Sequence, residues 1–386
     1  MALGSNDDFG KHICTLIHDI SSLKSLRPQS QAIPAQAGNV SKDDVTGFIT
    51  IPTIHKAFKT LGYTLVSAWS CNDHQHQEHA MCLDLDVDIT ASDVYSNLVL
   101  SYQDPLSNGS NAGSDSAKHY LMLKTRNANK AQRTDILTFR KGDATMCEYL
   151  AECVCTANPL RGRLSTVPNG PQTDLYHDDV RCSSSKVQVP VAKEFRLHEI
   201  LDWFRYLPDK YQLAHKLATA TLHLNGTPWL PSTWRLNMIT ALRRESLCET
   251  IGTMFVTMPL SVVTGPVAAE PPQDPEVYFS AGVPNATLFY LGVALLEIEH
   301  GFSLETFKSS KQLESKSDFD VARRMSVGPT TDAGMRYRTL AKKCLTCNFG
   351  SDKDDLECEV LQEAVYGGLV SKLGQLVAEC KPSDVR

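Results

Sequence analysis

No apolar run in this sequence is long enough to cross a bilayer. The longest strongly apolar stretch, LFYLGVALLEI at residues 288–298, falls well short of the ~20 residues a spanning helix needs. The N-terminus, MALGSNDDFGKHIC, lacks the basic start and apolar run of a secretory signal. No basic block stands out, and the formal net charge is a mild -6, which argues against nucleic acid or an anionic membrane as the main partner. A phosphate-cradling loop is missing too. In DPLSNGSNAGSDSAK, Gly113 leads into Ser114 and Asp115, whereas a P-loop continues into a lysine and a hydroxyl residue on a helix. No internal repeat is visible. These absences point to a cytoplasmic protein.

What remains is the composition of a globular chain, 42% hydrophobic and 21% charged. Its 386 residues exceed the ~100–200 of one ordinary domain. Twelve cysteines in a long chain without a signal read as reduced thiols. The sequons at Asn39, Asn108, Asn225 and Asn285 then need carry no sugar.

The chain falls into three parts. Residues 1–44 hold an amphipathic helix at 8–25, with Ile13, Leu16, Ile17 and Ile20 on one stripe, and a linker rich in Pro, Gln, Ala and Ser. Residues 45–195 are mixed, with strands at AMCLDLDVDI, SNLVLSYQ and HYLMLKT and a helix at 145–155. Residues 196–386 are mainly helical. There Asp209 and Gln212 have the spacing of a capping box, Leu213, Leu217, Thr221 and Leu224 recur at helical intervals, and Gly226 stands at a left-handed C-cap. A second helix at 285–300 stops at Gly301, and others are expected at 332–345 and 356–379.

One more absence bears on function. Between Gly226 and Thr240 there is no Asp, Glu, His or Lys, so this loop after a buried helix cannot move a proton at neutral pH.

Several stretches carry a family resemblance. A helix ending in LHLNG, a loop that returns as WRLNMI, then LFYLGVALLEIEHG together resemble the C-lobe of a protein kinase, while LHLNGTPWLPSTW, NATLFYLGVALLEI and MRYRTLAKKCLTCNFG with LQEAVYGGLV are similar to the marks of a narrower family. The closer likeness is to a fungal kinase-like domain of unknown function. It often follows HeLo-type prion-inhibition-and-propagation domains in heterokaryon-incompatibility and innate-immune-like signalling. SAWSCNDHQHQEHAMCLDL is similar to an N-lobe element of that family, with Asp73 where a second cysteine is usual. The resemblance covers roughly residues 60–378. It implies an α+β, protein-kinase-like fold, with a small mixed N-lobe and a larger mainly α C-lobe.

Phosphoryl transfer needs a catalytic carboxylate, metal-holding Asn and Asp, and a phosphate-binding lysine. Mapped onto this chain, the catalytic acid falls on Pro231 or Ser232. Asn237 takes the place of the metal-binding Asn, but residues 238–273 contain no Asp, and the next, Asp274, lies in EPPQDP. Lys124, paired with Glu148, is the candidate phosphate-binding lysine. The expectation is a catalytically silent scaffold or regulator with a protein partner, without cofactor or metal. Trp229, Trp234 and Trp69 are its candidate interaction residues. The structural alternative for the loop is that Trp229 and Trp234 pack inward with their indole N–H groups on backbone carbonyls.

Two rival readings stay open. An atypical nucleotide-binding phosphotransferase would use Lys124, Glu148 and Asn237, with acids from elsewhere such as Glu245 or Glu249. A zinc-stabilised adaptor would use Cys71, His74, His79 and Cys82, in a segment that also holds His76. Cys344 and Cys347 form a further C-x-x-C pair without the βαβ setting of a redox motif, and Cys153 and Cys155 have no evident partner.

Overall fold

Leucine, isoleucine and phenylalanine at residues 51, 54, 58, 61 and 65 recur three and four apart, the spacing of one helical face. They are the buried side of α1 (Lys42–Ala68). A computed structural model of the chain describes residues 42–68, 80–90, 93–103, 118–128, 137–139, 161–165, 172–177, 194–242, 246–259, 282–329 and 331–380. The chain divides into two units, residues 1–42 and 43–386, and all but the first of the described residues belong to the second. The helices expected at 8–25 and 145–155 lie outside the described residues, as does most of the expected linker at 26–44. α1 begins inside that linker and fills the first part of the segment expected to be mixed.

The architecture is α+β. Among the described residues nine strands form one sheet, in the order β4-β5-β6-β3-β2-β1-β9-β8-β7. They are β1 (Ala80–Thr90), β2 (Asp93–Gln103), β3 (Lys118–Ala128), β4 (Leu137–Phe139), β5 (Arg161–Ser165), β6 (Gln172–His177), β7 (Glu194–Arg196), β8 (Ile239–Leu242) and β9 (Met254–Pro259). All neighbours are antiparallel except β4 and β5. In β1 the alternation legible in the sequence puts Met81, Leu83 and Leu85 in the core. A bulge between Leu83 and Val87 then interrupts the register with β2. The sheet runs across the boundary expected at 195, because β9 joins β1 while β8 and β7 extend the same sheet.

The helices are α2 (Leu207–Leu224), the short α3 (Leu247–Ile251), α4 (Ala286–His300), α5 (Leu304–Lys311), α6 (Asp318–Val327), α7 (Gly334–Thr346), α8 (Glu359–Val365) and α9 (Ser371–Glu379). A π turn at Tyr366–Val370 joins the last two. α2 starts before Asp209. Pro208 sits in its first turn and Tyr206 is its N-cap, a placement proline favours because its missing N–H is not needed there. The capping box at Asp209 therefore does not form. Gly226 does adopt the left-handed conformation, at φ +64°.

α4 is the axis of the helical part. The Asn285 side chain caps its start by accepting from Leu288 N at 2.8 Å, and Gly301 ends it at φ +76°. Every residue from Thr287 to Glu299 is buried, so no face of the helix is left for water. Gly292 lets α7 approach: a Cβ there would sit 2.9 Å from Leu345 N and Cγ. Two glutamates are buried with the helix. Glu299 is met by Arg338 of α7, with Nε at 3.0 Å from Oε1, and also accepts from the Thr331 hydroxyl at 3.0 Å. Glu297 accepts from Leu304 N at 2.7 Å and so fixes the start of α5.

The Glu299–Arg338 pair is almost wholly inaccessible, with side-chain exposures of 0% and 2%. Removing one partner strands the other charge in the interior. Arg338→Ala is expected to lose ~3–5 kcal/mol of unfolding free energy, measured by urea denaturation; a loss below ~1 kcal/mol would show that the carboxylate finds water or a proton instead.

Candidate functional site

The loop at residues 225–238 begins where α2 runs out of hydrogen bonds. Gly226 turns the chain, and Thr227 closes the turn by donating to Leu224 O at 2.6 Å while accepting from Trp229 N at 3.3 Å. Asn225 and Leu230 form an isolated bridge. The loop then enters a short 3-10 turn, Leu236–Met238, and β8.

Both tryptophans of the loop point inward, each 1% exposed. Trp229 Nε1 donates to Phe58 O of α1 at 3.1 Å, and Trp234 Nε1 donates to Thr287 O of α4 at 3.4 Å. The indoles are therefore internal anchors, and neither offers a partner an exposed surface. Trp69, the third candidate, lies outside the described residues. The Phe58 carbonyl is reachable because Gly62 follows one turn later. A Cβ on Gly62 would lie 2.9 Å from Trp229 Nε1 and 3.0 Å from Pro228 Cδ.

α1 covers the loop at further points. His55 Nε2 donates to Asn225 O at 2.6 Å. Lys59 Nζ meets Glu357 Oε1 at 2.8 Å, and that same glutamate lies where a Cβ on Gly226 would be. This hydrogen bond and charge pair hold the Glu357 carboxyl below its ordinary value.

The one charged side chain of the loop, Arg235, is already engaged. Its guanidinium lies 4.7 Å from the centre of the Tyr290 ring, bonds to Asp318, and reaches Glu305 at 3.3 Å. Lys308 bonds to the other oxygen of Asp318. An incoming phosphate would have to displace two carboxylates to use Arg235. Pro231 and Ser232, where a catalytic acid would fall, are exposed.

The other candidates are dispersed. Asn237 is exposed, and its carbonyl accepts from Arg196 Nη1 at 3.2 Å. Lys124 is in the middle of β3, opposite Asn97 on one side and Tyr176 on the other. Glu148, Glu245 and Asp274 lie outside the described residues; Glu249 is on α3. Of the cysteine and histidine cluster, Cys71, His74, His76 and His79 lie outside as well. Cys82, half-buried on β1, contacts the Thr257 hydroxyl at 3.5 Å. Among the described residues no three His, Cys, Asp or Glu side chains are grouped to hold a metal ion. Cys153 and Cys155 are likewise outside. Cys344 and Cys347 lie in and just after the last turn of α7, where burial pushes both thiols up, Cys347 to about 11 and Cys344 further. Neither is a thiolate at neutral pH, which removes nucleophilic redox chemistry from this C-x-x-C.

A buried carboxylate that the sequence reading missed lies beside this region. Asp84, 7% exposed, sits at the β1 bulge. Its oxygens accept from Asn97 Nδ2 at 3.0 Å and from Asp86 N at 3.0 Å. Asp86 in turn pairs with Lys216 of α2 at 2.9 Å, and Lys216 also donates to Ile251 O. Next to it in the sheet, Thr257 and Thr240 share a hydrogen bond at 3.1 Å. Burial pushes Asp84 up to about 6 and Glu297 up to about 7. The signal in the sequence was the first aspartate of AMCLDLDVDI, which alternation alone assigns to an exposed face.

Residues 165–380, more than half of the chain, match the model of a family described as a domain of unknown function (DUF7580). No curated protein matches the chain. Among the described residues no helix is long and apolar enough to cross a membrane.

Asp84 makes stability depend on pH. Its folded value lies above the unfolded one, so between pH ~4 and ~6 the folded chain keeps a proton that the unfolded chain has released. Stability falls as pH rises through that window and levels off above it. A shift from 3.8 to about 6 corresponds to ~2–3 kcal/mol. Asp84→Asn, with the Asn97 amide turned over to offer its oxygen, is expected to be more stable than wild type at pH 7.5 and to lose this part of the slope. Unfolding curves from pH 4 to 8 check it; an unchanged slope would assign the effect to Glu297, which acts in the same direction.

Proposed function

We infer, from the premise that the chain belongs to the domain-of-unknown-function family DUF7580, that it acts as a non-catalytic, kinase-like interaction domain. The observation that carries this reading is the 225–238 loop. It contains no carboxylate, imidazole or amine, and its two indoles are bonded into the backbones of α1 and α4. A loop in the place of a catalytic loop, committed to packing, supports a scaffold more than a phosphotransferase.

The engagement of Arg235 with Asp318 and Glu305 supports it further, since the loop's only cation is not waiting for a phosphate. Asn237, exposed in the 3-10 turn before β8, and Lys124 of β3 belong to parts of the sheet with β2, β1 and β9 between them, which is compatible with it. The resemblance of residues 60–378 to fungal kinase-like domains supports a role in incompatibility or innate-immune-like signalling, acting on a protein partner.

The reading is tested by thermal unfolding with ATP, with and without magnesium. No shift is expected. A ligand at 100 times its Kd would add ~2.7 kcal/mol, so a magnesium-dependent rise of several degrees would replace the scaffold by a nucleotide-binding protein.

A further inference from the structure

We propose that α1 is a conditional strap: a segment that stays helical only while seated on the 225–230 loop and on the stretch from Glu357 to Tyr366, and that opens as a unit while α2, α4 and α7 remain folded. The proposal does not depend on whether the chain is kinase-like.

The first argument is the sequence of α1 itself. GFITIPTI at residues 47–54 puts Ile49, Thr50, Ile51, Thr53 and Ile54 around Pro52. β-branched residues lose side-chain freedom in a helix, and an interior proline both lacks an N–H and crowds the preceding turn. Pro52 leaves the Phe48 carbonyl without its helix donor. Such a helix does not hold on its own propensity; its seat has to hold it.

The second argument is where that seat lies. Besides its buried apolar face, α1 meets this seat at four places among the described contacts. Near its start, Gly47 lies so close to Tyr366 that a Cβ would overlap the phenol oxygen, and Phe48 packs on the same ring at 5.9 Å. In the middle, His55 bonds to Asn225 O and Lys59 to Glu357. One turn on, the Phe58 carbonyl receives the Trp229 indole beside Gly62. These partners are a loop and the C-terminal helical stretch. None of them is a ladder hydrogen bond of the sheet or a side chain of α4. The ion pair is itself 37% and 47% exposed, so water reaches it and salt weakens it. For the helix to lift, Ile51, Ile54, Phe58, Leu61 and Leu65 must leave the core along with these contacts, and the exchange experiment reads whether they do so while α4 stays closed.

The consequence is specific. Lifting α1 takes away the acceptor of Trp229 Nε1 and bares the apolar seat that Ile51, Ile54, Phe58, Leu61 and Leu65 otherwise fill. The vacated groove fits an amphipathic helix with α1's three-and-four spacing and a glycine facing Trp229.

Hydrogen exchange on the full chain, with a labelled peptide of residues 43–66 as probe, tests this. In wild type, amides of residues 43–66 are expected to exchange at least tenfold faster than those of α4. Gly62→Leu, which cannot fit against Trp229 and Pro228, is expected to abolish protection in 43–66, leave α4 protected, and bind the peptide at micromolar concentration where wild type does not. Lys59→Glu is expected to speed exchange of 43–66 severalfold, and Lys59→Glu with Glu357→Lys to restore it. Loss of α4 protection in Gly62→Leu would make α1 part of the cooperative core and overturn the proposal. So would retained protection of 43–66 in that variant, or equal binding, or no binding, of the peptide by both chains.

Discussion

A helix buried on all sides has to satisfy its polar side chains from within, and α4 carries two carboxylates. Much of the helical part can be understood as the solution to that constraint. Arg338 brings α7 against Glu299, and Gly292 allows the approach. Lys210 of α2 donates to the Glu299 carbonyl at 3.0 Å, and Tyr337 donates to Leu295 O at 3.0 Å. Glu297 starts α5 by accepting from Leu304 N. Hydrogen-bonded partners of this kind are what make a buried charge tolerable. They also tie three helices, α2, α5 and α7, to one axis with directional contacts that apolar packing alone does not supply.

The candidate site inherits this organisation. Trp234 is bonded to the first turn of α4, Arg235 lies over Tyr290 of the same helix, and the acids that hold Arg235 come from α5 and α6, which follow it. The loop is thus fastened from below by α4 and from above by α1. Its exposed residues, Gly226, Pro231, Ser232 and Asn237, have no acid–base capacity near neutral pH.

The elements that were legible are those whose pattern is local. The alternation in β1 and the Asn285 and Gly301 boundaries of α4 are written in adjacent residues, and the left-handed Gly226 is too. The inward packing of Trp229 and Trp234 followed from the size of an indole and its single donor. α1 was hidden although its apolar residues repeat three and four apart, because Pro52 and the run of isoleucine and threonine around it favour extended structure. Tertiary seating overrode that preference. The capping box failed at Asp209 for a comparable reason: Pro208 begins the helix a turn earlier. Asp84 was missed because a bulge turns a position that should face water toward Asn97. That β9 would join β1 was not legible either, since that pairing spans more than 150 residues of chain.

The π turn at Tyr366–Val370 has a geometric origin of its own. Leu361, Val365, Leu369 and Leu373 are all fully buried and stand four residues apart. An α-helix turns ~100° per residue, so a strict four-residue repeat drifts ~40° at each step and would carry Leu373 a third of the way round to solvent. One wide turn, in which an amide reaches back five residues rather than four, takes up the excess and returns the stripe to its groove. The glycine pair at 367 and 368 supplies room for that slack, as an extra link lets a stiff chain lie flat along a curve. The phase of this last helix is therefore set by a single surplus residue, and its two halves share one buried edge only because the surplus is spent there.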